Sequence, residues 1–255
     1  MIRAGGAAGE CSVRINRLYT AIHLEPGAEV VLEGPAAHYL GRVLRVAPGQ
    51  SVVLFNGDGQ DYAADVLRPG KGSVVLEVRS RLPAVREPDF KITVAQAISR
   101  GERMDQTLQK CTELGASAFR PLFSERVEVR LTGGKLERRM AHWQGVVVAA
   151  CEQSGRAVVP QVLPALDLDD WLAGDRAGQR IVMHPGADAP LARLEPGQRV
   201  ELAVGPEGGF SDVEYERILA GGVRGVQLGR RILRTETAAP AAVAILQALY
   251  GDLGA

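Results

Sequence analysis

The chain has 255 residues, 46% of them hydrophobic, and its 30 basic and 30 acidic side chains give a formal net charge of zero. That length allows one large domain or two modest ones, and the apolar content is that of a globular protein with a real core. The charge balance excludes binding of nucleic acid through bulk charge alone, though not a local basic face, and no apolar run is long enough to span a bilayer.

The first residues, MIRAGGAAGECSV, lack the apolar core of a secretory signal and read as a flexible extension over residues 1–13. Cys11, Cys111 and Cys151 are isolated from one another. With no CxxC pair and an odd count, they argue against a disulfide framework or a zinc site and for a reducing cytoplasm. Only Lys71, Lys91, Lys110 and Lys135 are lysines among the basic residues. This arginine bias lowers the weight that any single arginine carries.

From Arg14 to about Arg81 the chain shows short β-rich runs, 29–33, 51–55, 62–66 and 73–78, punctuated by Pro26-Gly27, Pro48-Gly49, Gly57-Asp58-Gly59 and Pro69-Gly70. Their spacing suits a small antiparallel barrel over 14–82. One interruption, 35–45, is helical. Leu40, Val43 and Leu44 share a face, and His38, Arg42 and Arg45 can gather on another as an RNA-facing edge. Taken alone, His38 reads more simply as a surface or capping histidine than as a catalytic one. Two prolines, Pro83 and Pro88, break both periodicities and mark a linker over 83–88.

Beyond the linker, over 89–255, strands alternate with helices, the pattern of a parallel α/β sheet. Strands are expected at 90–98, 118–123, 181–184, 200–204 and 223–228, and helices at 102–114, 134–154, 212–220 and 238–250. In the first of these helices Met104, Leu108, Cys111 and Leu114 form one stripe, so Cys111 reads as core.

Two loops carry the chemistry. Gly205-Pro206-Glu207-Gly208-Gly209-Phe210-Ser211 follows an apolar strand directly. Its glycines permit unusual φ angles and close backbone approach, and Ser211 suits an N-cap. It is neither a GxGxxG fingerprint nor a GxxxxGK[ST] loop, which disfavours a nicotinamide enzyme. The second loop is Leu228-Gly229-Arg230-Arg231-Ile232-Leu233-Arg234-Thr235-Glu236-Thr237-Ala238. It can be an arginine-rich surface loop before an ordinary capped helix, or a ligand loop feeding free backbone donors at a helix start. Ligands of open α/β sheets bind at the carboxyl ends of strands, so the two loops are expected side by side.

GPEGGFS at 205–211 followed by LGRRILRTETA at 228–238 resembles the SPOUT class of S-adenosylmethionine-dependent methyltransferases, and more specifically the ribosomal RNA small subunit methyltransferase E family. HYLGRVLR from His38, LFNGDG at 54–59, ERMDQTLQKCTELG at 102–115, SERV at 124–127, EQSGR at 152–156 and HPGA at 184–187 fall in that family's order. The likeness covers nearly the whole chain from Arg14. Tyr39 stands where the family often has a second histidine, so no proton-transfer role falls on His38.

The resemblance implies an N-terminal PUA-like barrel, a C-terminal α/β domain with a deep trefoil knot, and a cytoplasmic homodimer. It implies S-adenosylmethionine as cofactor and N3 of a uridine in 16S rRNA of the assembled small subunit as target, with no metal, no membrane and no DNA. Carried over residue by residue, the cofactor would lie against His184, Pro185, Val204, Gly205, Gly209, Leu228, Gly229, Ile232, Leu233, Thr235, Glu236, Thr237 and Ala238. Arg126, Arg156 and Arg234 are candidates to favour the uridine anion, and Glu207 or Glu152 to take its proton, unless water suffices. Arg14, Arg17, His38, Arg45 and Lys110 are the candidate RNA contacts. A related enzyme acting on a ribose 2′-hydroxyl and an RNA-binding assembly factor without catalysis are the alternatives.

Overall fold

A computed structural model describes residues 16–70, 72–128, 131–176 and 178–254, and the chain divides into two compact units. The first comprises 1–87 with 151–159, the second 88–150 with 160–255. The extension 1–13 and Arg14 lie outside the described residues.

In the first unit the strands are β1 (Arg17–Tyr19), β2 (Glu29–Glu33), β3 (Ser51–Phe55), β4 (Asp61–Arg68) and β5 (Ser73–Leu82), with α1 (Gly34–His38) after β2. They form one sheet in the order β1-β3-β4-β5-β2. Three of its pairings are antiparallel, as the short hairpin-like spacing implies. The outermost is not: β1 runs parallel to β3, Arg17 opposite Val53. The chain leaves β1, builds β2 and α1, and only then enters β3, so it returns in the same direction. The alternation of β2, exposed at Glu29, Val31 and Glu33 and buried at Val30 and Leu32, puts one face into a core with Leu18, Leu40, Leu54, Tyr62, Leu76 and Val78.

The expected single helix over 35–45 is two structures. After α1 the turns widen into a π-helical segment, Tyr39–Leu44, that ends on Arg45 at φ 51°. Gly41 sits where any Cβ would meet the Gly70 carbonyl, so glycine there allows two backbones to touch. Leu40 is the buried anchor, while His38, Tyr39, Arg42, Val43 and Arg45 are exposed.

The second unit is a parallel sheet. Its elements are β6 (Lys91–Ala97), α2 (Arg103–Glu113), β7 (Ala118–Phe123), α3 (Gly133–Ser154, its last turn counted with the first unit), β8 (Gln161–Val162), β9 (Leu166–Asp167), α4 (Leu168–Ala173), β10 (Gln179–Met183), β11 (Arg199–Val204), α5 (Asp212–Ala220), β12 (Arg224–Val226) and α6 (Thr235–Tyr250). The order is β12-β10-β11-β6-β7-β8, with β9 also on β7, and every pairing is parallel. Helices cover both faces of such a sheet, so its central strands bury residues on both sides. In β6 and β11 the last residues, Val94–Ala97 and Leu202–Val204, are all buried. One face packs Ala95, Leu122, Val182 and Ala203 against Trp171, Phe210 and Ile218. α6 packs on α2, and the buried Gln247 side chain donates to the Gly115 carbonyl at 2.8 Å.

This register sets the site. Gln96 lies opposite Val204, Val182 opposite Ala203, and Met183 opposite Val226. The carboxyl ends of β6, β10, β11 and β12 therefore finish at one edge, and the loops that leave them meet there.

Candidate cofactor pocket and its surroundings

At that edge opens a cavity of about 310 Å3. One wall is the loop after β11. Gly209 takes φ +67° and its amide donates to the Pro206 carbonyl at 2.9 Å, while a Cβ on Gly205 would lie 3.0 Å from the Phe210 nitrogen. The turn is thus closed by residues that have no side chain to obstruct it. α5 begins with a full capping box: Ser211 Oγ accepts from the Glu214 amide at 3.2 Å, and the Glu214 carboxylate accepts from the Ser211 amide at 2.9 Å. Glu214 also accepts from the Glu125 amide at 2.7 Å, and Ser211 Oγ donates to Glu125 at 2.6 Å. The strand end, its loop and the segment after β7 are thereby tied together.

The facing wall is the segment from Gln227 to Ala238. Its entry is fixed by the Gln227 amide on the Ala189 carbonyl at 2.9 Å and by the Leu191 amide on the Gln227 carbonyl at 3.0 Å. Gly229 turns the chain at φ +65°. The helix start differs from the expectation at 238. α6 begins at Thr235, with Arg234 as an extended N-cap whose carbonyl accepts from the Thr237 and Ala238 amides. Thr235 does not cap. Its hydroxyl donates to the Gly205 carbonyl at 2.8 Å, which joins the two walls.

His184 and Pro185 close a third side. The His184 ring stacks on Tyr215 with centroids 3.7 Å apart and planes 13° apart. Its Nδ1 accepts from the Gly186 amide at 3.1 Å, which assigns the ring proton to Nε2. Burial pushes the His184 pKa below the ordinary histidine value, and the opposing pull of Asp212 does not restore it.

Of the residues carried over for the cofactor, all but Glu236 and Thr237 line this cavity. Thr237 is exposed, and the Glu236 carboxylate faces Arg103 Nε at 3.8 Å. Among the catalytic candidates, Arg126 and Glu207 are at the pocket. Arg126 Nη1 donates to the Gly208 carbonyl at 2.6 Å. Glu207 accepts from the Arg100 amide at 2.9 Å and from Arg103 Nη1 at 3.0 Å. Burial raises its pKa, but its own amide, that of Arg100 and the Arg103 guanidinium outweigh burial and hold it below the usual glutamate range. Arg234 is exposed at the helix start and does not line the cavity, whereas Arg231 does. Met183, Pro206, Gly208, Phe210, Asp212 and Gln227 also line it and were not singled out from the sequence. Pro206, Gly208 and Phe210 lay inside a motif already marked; Gln227 and Met183 carry no signal beyond their place at strand ends.

Glu152 and Arg156 are not at this pocket; they belong to the first unit. Arg156 forms a buried ion pair with Glu87, Nη2 to Oε2 at 2.5 Å. Glu152 accepts from the Tyr19 amide at 3.0 Å, and burial raises its pKa against the pull of that amide and of Arg17. Cys151, beside them, is buried, and its thiol is pushed up to about 11. The expectation for Arg17 needs correction. Its side chain is only 6% exposed, because Nε and Nη2 both bond to Asp61, Nη1 and Nη2 reach the Cys151 and Arg156 carbonyls, and the guanidinium lies 3.7 Å over the Phe55 ring. A guanidinium so enclosed has no face for a phosphate. His38 and Arg45 are exposed on the first unit, and Lys110 is exposed on α2, paired with Glu113 at 3.0 Å.

A larger cavity, about 460 Å3, opens at the opposite edge of the sheet beside Lys91, Ser117 and Arg199. These residues stand at the amino ends of the strands, away from the edge where α/β sheets bind ligands. Its carboxylate Glu201 is already engaged by Arg180 and by Trp171 Nε1, each at 2.7 Å. Among the described residues no helix is long and apolar enough to cross a membrane, and no cluster of residues has the makings of a metal site.

Comparison with known proteins finds relatives along nearly the whole chain. Residues 86–247 match the model of an RNA methyltransferase domain, and residues 32–79 that of an RNA methyltransferase PUA domain. A ribosomal RNA small subunit methyltransferase E of Buchnera aphidicola is 31% identical over 94% of this chain and 98% of its own length. That of Synechocystis is 34% identical over 87% of this chain and 74% of its own. The crystal structure of a ribosomal RNA small subunit methyltransferase E from Neisseria gonorrhoeae bound to S-adenosyl methionine superposes with a TM-score of 0.89 at 38% identity, covering 94% of this chain and 99% of that one. A putative methyltransferase from Legionella pneumophila in complex with the same cofactor gives 0.88 at 38% identity, over 94% of this chain and all of that one, 100%. With the domain match over most of the chain and relatives of this identity along nearly its full length, the chain belongs to the ribosomal RNA small subunit methyltransferase E family.

Proposed function

We propose that the protein methylates N3 of a uridine in 16S rRNA, using S-adenosylmethionine, within the assembled small ribosomal subunit. The observation that carries the reading is the pocket itself: two glycine-bearing loops at the ends of β11 and β12, the strands on either side of β10, are joined through Thr235 and Gly205 and enclose a cavity with apolar walls from Val204, Phe210, Ile232 and Leu233. Those walls suit a flat adenine, and backbone groups of the loops suit its edge. The cofactor supplies an already activated methyl on a sulfonium. What remains for the protein is position.

N3 lies on the Watson–Crick edge, so the target base must be unpaired or flipped to be reached. In the transfer the carbon–sulfur bond breaks, the nitrogen–carbon bond forms, and the N3 proton leaves. A cation beside the base favours the anion that attacks. Arg126 and Arg231, both lining the pocket, are the candidates for that cation. Glu207 is held ionised by its partners and is a weak base there, which leaves water as the proton acceptor. The exposed His38 and Arg45, beside the exposed Tyr39, offer a surface for RNA on the first unit. A chain of zero net charge fits docking on a formed particle more than coating free RNA. The trefoil knot, the homodimer and the cytoplasmic setting belong to the same reading, with the loops after β11 and β12 as the knotted segments and the cofactor against the partner subunit.

The test is methyl transfer from labelled S-adenosylmethionine to purified small subunits that lack the modification, beside naked 16S rRNA, with nucleoside mass spectrometry. We expect 3-methyluridine on the particle and little on naked RNA. A ribose-methylated product would support the 2′-hydroxyl alternative instead. No cofactor binding by calorimetry at millimolar concentration would leave an assembly factor.

A further inference from the structure

Gln96 is the polar exception at the buried end of β6. It is fully buried among Val94, Ala95 and Ala97. Its Nε2 donates to Thr235 Oγ1 at 2.9 Å and to the Ala97 carbonyl at 3.0 Å, with the Val204 and Gly205 carbonyls each at 3.4 Å. Three carbonyl oxygens on one side fix which way the amide points, since an oxygen there would face only acceptors. Its Oε1, on the other side, has no partner. Thr235 Oγ1 accepts from Gln96 and spends its single proton on the Gly205 carbonyl at 2.8 Å. The contacts therefore run in one direction, from Gln96 to Thr235 to Gly205. Thr235 and Gly205 line the pocket from its two facing walls.

We propose that Gln96 is a positioning residue for cofactor binding. By donating to Thr235 it turns that hydroxyl onto Gly205, and so fastens the loop after β11 to the first turn of α6 at the separation the cofactor needs. It does so without touching the cofactor. The inference rests on the reading of this pocket as the S-adenosylmethionine site.

The direction of donation supplies a test that a filler of the core would not pass. Gln96→Leu keeps the volume and removes the donor. Gln96→Glu keeps the shape; its carboxyl when protonated can still donate to Thr235, and when ionised can only accept. The ionised form accepts a hydrogen bond from the Thr235 hydroxyl and so turns it away from Gly205. The bonded partners of Gln96 are all uncharged, so the native contact has no titration of its own.

S-adenosylmethionine affinity is to be measured by calorimetry on the full chain, with KM and kcat on small subunits, across acidic to alkaline pH. Each variant is taken as a ratio to wild type at the same pH, which cancels the titration of His184 and other shared groups. Gln96→Leu is expected to weaken cofactor affinity roughly tenfold to a hundredfold at every pH, mainly through KM. Gln96→Glu is expected to bind like wild type in acid and to lose affinity by a similar factor as its carboxyl ionises. If Gln96→Leu does not fold, Thr235→Val compared with Thr235→Ser carries the same test: the valine, which cannot relay, must bind at least about tenfold more weakly than the serine, which can. Wild-type affinity in Gln96→Leu, or equal affinities for the two Thr235 variants, overturns the proposal. Failure of wild type itself to bind the cofactor overturns the reading of the pocket, a separate result.

Discussion

Arg103, the first residue of α2, places Nη1 3.0 Å from Oε1 of Glu207 in the glycine loop after β11, and the Arg100 amide reaches the same oxygen at 2.9 Å. On its other side Arg103 Nε faces Glu236 of α6 at 3.8 Å. One arginine thus stands between the two walls of the pocket, and the carboxylate that proximity would nominate as a base is engaged in holding a loop.

A general base contributes about 10²–10⁴ in rate. Glu207 is held below the usual glutamate pKa, so it gains little by taking a proton from uridine. We expect Glu207→Gln to lower kcat by less than about tenfold while raising KM for S-adenosylmethionine a few-fold, because the amide oxygen still accepts from Arg100 but the pairing with Arg103 weakens. Steady-state kinetics on small subunits check this. A loss in kcat of about 10² or more would return the proton to Glu207.

His184 gives a pH dependence with a definite sign. Burial depresses its folded pKa, whereas in the unfolded chain it titrates at about 6.5. Between those values the unfolded state binds a proton that the folded state does not, so stability falls as pH drops below about 6.5 and levels off beneath the folded pKa. His184→Phe keeps a ring on Tyr215 and removes the titration. Melting temperatures followed downward in pH should fall more steeply for wild type than for the variant. Parallel curves would mean that the ring is not kept neutral by its surroundings.

Much of this architecture could be read before any coordinates. Short β-rich runs and turn residues marked four of the first unit's five strands, the alternation of strands with helices marked β6 and β11, and Ser211 as a cap marked the start of α5. What escaped depends on partners distant in sequence. β8 and β9 are two residues long and exist because β7 is beside them; no periodicity can declare so short a strand. The widened turns at Tyr39–Leu44 accompany a close approach of Gly41 to Gly70, which local spacing does not carry. Gln96 looked like an ordinary strand residue because its partners lie 108 or more positions away for all but Ala97. At the pocket, glycines and small residues were legible because backbone approach demands them. Charged side chains were not, since an arginine reads alike whether it meets RNA, a carboxylate or a loop carbonyl.

Arg17 is the case where that ambiguity has a measurable consequence. It joins Asp61 across 44 residues in a nearly dry pair, the two side chains 6% and 2% exposed. Exposed ion pairs contribute about 0–1 kcal/mol. Removing one partner of a buried pair strands the other charge and costs about 3–5 kcal/mol. Here Arg17→Met would also leave the Cys151 and Arg156 carbonyls without their donors. Both tryptophans, Trp143 and Trp171, lie in the second unit, so their fluorescence follows that unit, and amide exchange of β1, β3 and β4 reports the first. We expect Arg17→Met and Asp61→Asn each to lower protection in those strands by about 3–5 kcal/mol, and the double variant to cost less than the sum of the singles. A shift below about 1 kcal/mol would mean that the pair behaves as a solvated surface contact, and would reopen Arg17 as a side chain available to RNA.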